Sequence, residues 1–299
     1  MKIFIPHLFY ILGLLLIISS PQAVLSARHA LLVGIGRYDT QKTGWRKIHG
    51  DADVNLLSPL LQKRGFKVQT LVNSQATKKN IADALNTLAK ECRKGDEVYF
   101  QFSGHGQRVK DLNGDETDGI DEAIVCYDAL RTPGYATPPT IYKGENHLLD
   151  DELAPLFQKI RKAVGPEGCL FITFDACYSR GLEKGGEEDE EIDYDQPLFV
   201  RGTDELFIPS DNSYLLTIPP PGVFEAGCPT SVVSACLETE RNFEVKIGGN
   251  HYGVLSWCIS LLLRDNFDFT AWTNYFRSGA YNRSGIFRPY QHPSIIIYK

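Results

Sequence analysis

The sequence predicts an α/β sandwich with a mostly parallel central sheet. Short apolar runs alternate along the chain with amphipathic stretches at helical spacing, the pattern of repeated strand–helix units. Two chemistry-bearing residues, His105 and Cys177, each come just after such an apolar run, and in open α/β sheets functional groups gather beyond the carboxyl ends of strands. A chain of 299 residues that is 43% apolar and 23% charged also has enough apolar content for a sizeable core.

Ala30 to Ile35 reads as a buried strand ending between Gly34 and Gly36. Val54 to Lys63 has helical spacing, and Gly65 closes it. Phe66 to Val72 is a second strand, and Thr77 to Lys94 a helix with Thr77 as N-cap and Gly95 as stop. Val98 to Phe102 is a third strand, followed by a short one at Glu122 to Tyr127. Asp150 to Val164 reads as helix and Cys169 to Phe174 as strand. Between Gly185 and Pro221 the character changes: seven acidic residues fall between Glu187 and Asp195, and Pro219 to Pro221 end the stretch. Such a segment is expected to be a linker or surface insert. Ser231 to Cys236 is a strand, Val254 to Leu263 a helix, and Ser294 to Tyr298 a last apolar segment.

At the start, Lys2 precedes an apolar run of 11 residues, Leu8 to Ile18, which Ser19 to Gln22 break before Ala23, Ser26 and Ala27. A bilayer span takes roughly 20 residues, so residues 1–27 read as a signal peptide cleaved near Ala27. An uncleaved anchor is the alternative. Either way residues 28–299 are expected outside the cytoplasm, periplasmic or secreted, with no stable membrane span once the signal is removed. A formal net charge of −6 argues against a nucleic-acid partner. The seven cysteines include no CxxC pair, which excludes the usual zinc and thioredoxin-type patterns. Cys126 and Cys258 lie inside apolar runs and read as core.

Two segments carry chemistry. Phe100 to Gly106 leads an apolar strand into a turn where His105 stands between Gly104 and Gly106. Glycines there let the backbone turn sharply and bring N–H groups close to a bound group. Phe171 to Ser179 ends a strand with Asp175 and then Cys177. A thiol needs a nearby base or cation to reach useful thiolate levels at neutral pH. Taken singly, His105 is as readily structural and Cys177 more readily core packing; together they suggest a nucleophile and its base.

With Ala30 to Gly36, Gly50 to Val54, Phe102-Ser103-Gly104-His105-Gly106, Asp115 to Glu122, Asp150 to Glu152 and Asp175-Ala176-Cys177 in this order, the chain resembles caspases. It is more similar still to type I metacaspases and bacterial caspase-like peptidases. The resemblance covers roughly residues 28–181, with a looser match from Ser231. It implies a caspase-like α/β/α sandwich in which residues 28–184 form the larger, dyad-bearing part, 185–221 the acidic linker and 222–299 the smaller part. It implies a cysteine endopeptidase: His105 takes the thiol proton, Cys177 attacks a peptide carbonyl, and the N–H groups of Gly106 and Cys177 receive the oxyanion. No third catalytic group is evident in the sequence.

The same resemblance implies cleavage after Arg or Lys, with Asp53, Ser103 and Asp175 lining the specificity pocket. The partner is then a protein or peptide substrate with a basic residue before the scissile bond, acted on by a monomer. For Asp53, helix N-capping is the plainer alternative. The chemistry requires no cofactor, but Ca²⁺ is implied as an activator on Asp121, Asp150 and Asp151; solvated surface carboxylates are the alternative. Asp111, Asn113, Asp115 and Glu122 match an EF-hand register, yet Glu116 stands where that turn needs Gly, so an EF-hand is rejected. Departures from the family pattern are Gly50 in place of a common Cys, Tyr178 in place of a His, and Arg180 in place of a Gly. A zymogen that cuts itself after Lys184, or secondly after Arg201, is expected from charge and exposure. The competing readings are a catalytically silent caspase-like binding module and a non-peptidase Cys/His amidase.

Overall fold

The computed structural model describes residues 26–111, 114, 116–178, 199–209, 225–265, 267–285, 287 and 291–299. Residues 1–25 of the expected signal peptide 1–27, Asn113 and Asp115, Arg180, Lys184 and the acidic stretch 187–195 lie outside the described residues. In chain order the regular elements are β1 (Arg28–Gly34), α1 (Thr40–Thr43), α2 (Gly50–Lys63), β2 (Phe66–Val72), α3 (Lys78–Glu91), β3 (Glu97–Ser103), β4 (Gly106–Lys110), β5 (Ile120–Val125), β6 (His147–Leu149), α4 (Asp150–Val164), β7 (Cys169–Asp175), β8 (Thr230–Ser234), β9 (Glu244–Ile247), β10 (Asn250–Gly253), α5 (Val254–Asp265), α6 (Phe269–Arg277) and β11 (Ser294–Tyr298).

Six strands form the central sheet in the order β11-β8-β7-β3-β1-β2. All its pairings are parallel except that of the edge strand β11 with β8. The near-continuous apolar character of the inner strands reflects burial on both faces. Leu31, Val33, Val98, Phe100, Leu170 and Ile172 meet α3 and α4 on one face. Ala30, Leu32, Tyr99, Phe171 and Val233 meet α2, α5 and α6 on the other. This is the α/β/α sandwich expected.

The helix starts and stops obey local chemistry. The Thr77 side chain accepts the Asn80 N–H and starts α3. That helix ends at Glu91, before Lys94, because the Cys92 backbone turns to φ −61°, ψ 149°. Helix α2 begins four residues earlier than its apolar spacing suggests, since Gly50, Asp51 and Asp53 are not apolar and Ala52 alone does not extend the pattern. Four strands and the helices α1 and α6 go beyond the elements expected. Strands β4 and β6 join β5 in a separate three-stranded antiparallel sheet, and β9 and β10 form a two-stranded ribbon. Their alternating or mixed polar sequences hold no apolar run to detect.

Within the segment expected as a linker, residues 199–209 pack against the body of the protein. Arg201 and Phe207 are fully buried there. Phe207 sits with Val109, Ala123, Tyr142 and Leu149 in a small apolar cluster, and it exchanges backbone hydrogen bonds with Arg108 and Lys110.

Candidate active site

Strands β3 and β7 are parallel neighbours with Ser103 opposite Asp175. The residues just beyond them, His105 and Cys177, therefore leave the sheet side by side at one edge. This is the placement the sequence suggested from the two apolar runs. Both side chains are buried. A cleft of about 400 Å³ runs past His105, lined by Trp45, Arg131, Phe199, Val200 and Gly202 among others.

The His105 ring stacks on Trp45, with centroids 4.9 Å apart, and lies 5.0 Å from that of Tyr38. Its Nε2 is 2.8 Å from the Arg46 carbonyl oxygen. A carbonyl can only accept, so Nε2 carries the proton in the neutral ring and Nδ1 holds the lone pair. Nδ1 is buried and has no hydrogen-bond partner among the described residues. Burial pushes the His105 pKa down to about 4, with the Arg46 carbonyl opposing. The ring is neutral at physiological pH, as a proton acceptor must be. A main-chain oxygen thus does the orienting work for which the sequence offered no side chain.

The Cys177 thiol lies 3.2 Å from the Glu240 carbonyl oxygen. Cys236 lies 3.5 Å from the same oxygen. The Cys236 pKa is raised, first by its hydrogen bond with Cys177 and next by burial.

The expected pocket residues converge, but on a group of the chain itself. The Arg201 guanidinium enters a fully buried acidic pocket, with Nη1 2.7 Å from Asp53 and 2.5 Å from the Ser103 hydroxyl. The same nitrogen is 3.5 Å from Asp175, and Nη2 is 3.0 Å from Glu244. Asp53 also accepts the Ser103 hydroxyl and the Gly253 N–H. Asp175 accepts from Asn242 at 2.8 Å and from both the N–H and the hydroxyl of Ser256 at 2.7 and 2.6 Å. Burial raises the Asp53 carboxyl pKa while Arg201 pulls it back. Burial alone would lower the Arg201 pKa, but Asp53, Asp175 and Glu244 reverse this and hold it raised. Three carboxylates thus surround one buried guanidinium and compensate its charge.

The Arg201 main chain is placed as distinctively as its side chain. Its carbonyl oxygen accepts the N–H of Cys177 at 2.9 Å and that of Gly106 at 3.2 Å. Its own N–H donates to the Asn242 carbonyl at 3.0 Å, and Glu244 N–H donates to the Phe199 carbonyl at 3.1 Å. Residues 199–201 therefore lie antiparallel to 242–244, with Val200 opposite Phe243. The exposure expected of Arg201 is corrected by this burial. Glu244 and the Arg46 carbonyl went unrecognised in the sequence, since neither sits in a motif and both act only through folding.

The calcium-type carboxylates are partly assembled. Oxygens of Glu116, Asp150 and Asp151 lie within 4.8 Å of one another; Asp121, buried on β5, is not in that group. Burial, reinforced by Asp151, pushes the Asp150 pKa up to about 7. Burial, then Asp150 and three further acids, pushes Glu122 up to about 8. Asp150 Oδ1 has no hydrogen-bond partner among the described residues. Such a set of crowded, poorly hydrated oxygens fits a hard cation.

Among known proteins, a family model for the caspase domain matches residues 27–258. Metacaspase-1 of Schizosaccharomyces pombe is 35% identical over 165 residues, 52% of this chain and 34% of the relative. Metacaspase-1A of Aspergillus niger is 33% identical over 161 residues, 51% of this chain and 35% of the relative. The match thus spans about a third of the length of these curated relatives. In fold, a solved protein of Geobacter sulfurreducens superposes with a TM-score of 0.61 at 20% identity, covering 91% of this chain and 93% of that one.

Proposed function

This chain belongs to the caspase family, and from that premise we propose that it is a cysteine endopeptidase that cuts after arginine or lysine, its own Arg201–Gly202 bond first. The observation that carries the reading is the pose of Arg201. A cationic side chain fills the acidic pocket while the carbonyl of the same residue accepts the N–H groups of Gly106 and Cys177. That is the arrangement a bound substrate needs. A silent binding module would have no reason to keep two N–H groups aimed at one carbonyl beside a thiol.

In this mechanism His105 Nδ1 takes the Cys177 proton, and the thiolate attacks the Arg201 carbonyl carbon. The carbonyl electrons move onto the oxygen, where the Gly106 and Cys177 N–H groups stabilise them. Collapse breaks the C–N bond, and His105 delivers the proton to the Gly202 nitrogen. Water then hydrolyses the thioester and regenerates the thiol. The Arg46 carbonyl holds the ring in the required tautomer throughout.

Peptides with Arg, Lys or Asp before a fluorogenic leaving group test the pocket. Arg and Lys substrates should be cleaved, and the Asp substrate slower by at least about 1000-fold, because burying a fourth carboxylate among three is costly. Preferential cleavage after Asp would sink the proposal, and no cleavage of any peptide would favour the binding-module alternative.

The reading further includes export by the residue 1–27 signal, action as a monomer and calcium activation. Glu116, Asp150 and Asp151 would hold the ion, which would supply positive charge among the crowded carboxylates. Without calcium the raised pKa values of Asp150 and Glu122 predict a fall in melting temperature between about pH 5 and 8, because the folded state holds protons there that the unfolded state has lost. Millimolar Ca²⁺ should flatten that fall. A melting profile that ignores calcium at every pH would remove the ion from the proposal.

A further inference from the structure

Residues on both sides of Arg201 are seated as specifically as Arg201 itself. The Phe199 ring meets His49 edge-on at 4.7 Å and His251 at 5.0 Å. These two imidazoles stack on each other at 4.8 Å although they come from different elements, the start of α2 and β10. His49 is itself anchored by Glu244, whose Oε2 lies 2.5 Å from Nδ1 and whose Oε1 accepts the His49 N–H at 2.7 Å. The same Oε1 holds Arg201 Nη2. One glutamate thus ties the arginine pocket to the aromatic clasp two residues upstream. A chain extended against 242–244 turns alternate side chains the same way, so both positions are read from one wall.

On the other side, Gly202 admits no side chain. A Cβ there would stand 2.4 Å from the Cys177 carbonyl oxygen and 2.9 Å from the Cys177 Cβ. Neither atom is the far end of a flexible side chain, so relief would require moving the nucleophile's own backbone.

We infer that the site selects extended peptides carrying an aromatic residue two positions before the arginine and a glycine immediately after it, with His49 and His251 as the residues that read the aromatic ring. The inference rests on the proposed function, in which Arg201 precedes the scissile bond. It adds a substrate pattern, aromatic–any–Arg–Gly, cut between the last two. The Val200 side chain lines the open cleft, so the intervening position discriminates little.

Internally quenched peptides test this with the full chain after its own cleavage. The series is Phe-Val-Arg-Gly-Thr-Asp, the same with Ala for Phe, and the same with Ala for Gly. Ring contacts on two imidazoles predict a kcat/KM about 10-fold higher for the Phe peptide than for its Ala counterpart. The Gly-to-Ala peptide should lose at least about 10-fold, since the clash falls on the reacting atoms. In the His251→Ala enzyme the Phe-to-Ala ratio should shrink to about 2-fold. Gly202→Ala in the full chain should slow self-cleavage at Arg201 comparably, which reads the same preference without added peptide. Equal cleavage of all three peptides would overturn the inference and leave the arginine-directed activity standing. Failure of every arginyl peptide, with the chain itself intact, would overturn both.

Discussion

Replacement of Cys177 by alanine should leave the chain whole, whereas the unaltered protein should divide between Arg201 and Gly202. Mass spectrometry of the purified chain would show one species for the variant. The parent should give two fragments whose new ends are Arg201 and Gly202. The expected loss in rate is on the order of 10⁴-fold or more, since removing the nucleophile leaves only binding and the oxyanion donors. Cys236→Ala should retain cleavage: its thiol shares the Glu240 carbonyl with Cys177, but the carbonyl of Arg201 is presented to the N–H groups of Cys177 and Gly106. Cutting at another bond in the parent would break the link between the observed pose and the reaction. Persistent cutting at Arg201 in Cys177→Ala would displace Cys177 as nucleophile.

The second large effect concerns stability. Arg201→Ala, made together with Cys177→Ala so that both proteins remain uncut, removes the cation that Asp53, Asp175 and Glu244 surround. Breaking a buried ion pair from one side costs on the order of 3–5 kcal/mol, because the remaining charge is left uncompensated. For a chain of this size that is a melting temperature lower by roughly 10 °C. The deficit also depends on pH. Burial raises the Asp53 carboxyl and Arg201 opposes it, so without Arg201 its folded pKa lies further above the unfolded one, and stability is kept in acid and lost as pH rises through the folded value. The deficit should therefore be larger at pH 8 than at pH 5. Arg201→Lys should recover part of it, a single ammonium replacing the two-pronged guanidinium. Melting of the alanine variant with its parent at both pH values would mean the cluster is not electrostatically held.

Much of the fold was legible because its signals are local. A parallel edge strand such as Phe66–Val72 and an amphipathic helix such as Asp150–Val164 declare themselves through apolar spacing, and both span the residues expected. Strands β9 and β10 do not: Glu244–Ile247 and Asn250–Gly253 are half-exposed and polar, and pair through a hairpin rather than through burial. The candidate site was legible where His105 stands in a glycine-flanked turn and Cys177 follows an apolar strand. It was illegible where distant segments complete it. Glu244 and Asn242 lie far along the chain from Asp175, and nothing in their neighbourhood marks them. The departure at Gly50 has a physical reason of its own. A Cβ there would lie 2.3 Å from the Ser103 carbonyl oxygen and 2.7 Å from that of Ile35, so a cysteine does not fit this backbone.

The sheet order also determines the fate of the protein once it is cut. Strand β7 ends before Arg201 and β8 begins after Gly202, yet the two are hydrogen-bonded neighbours in the middle of one sheet. Helix α2 packs on α5, and Asp175 is clasped by Ser256 across the same divide. Severing the chain at Arg201 therefore turns a single polypeptide into a two-part complex whose seam is a core rather than a surface. From then on unfolding is also dissociation, and the protein's persistence becomes a matter of how much of it there is.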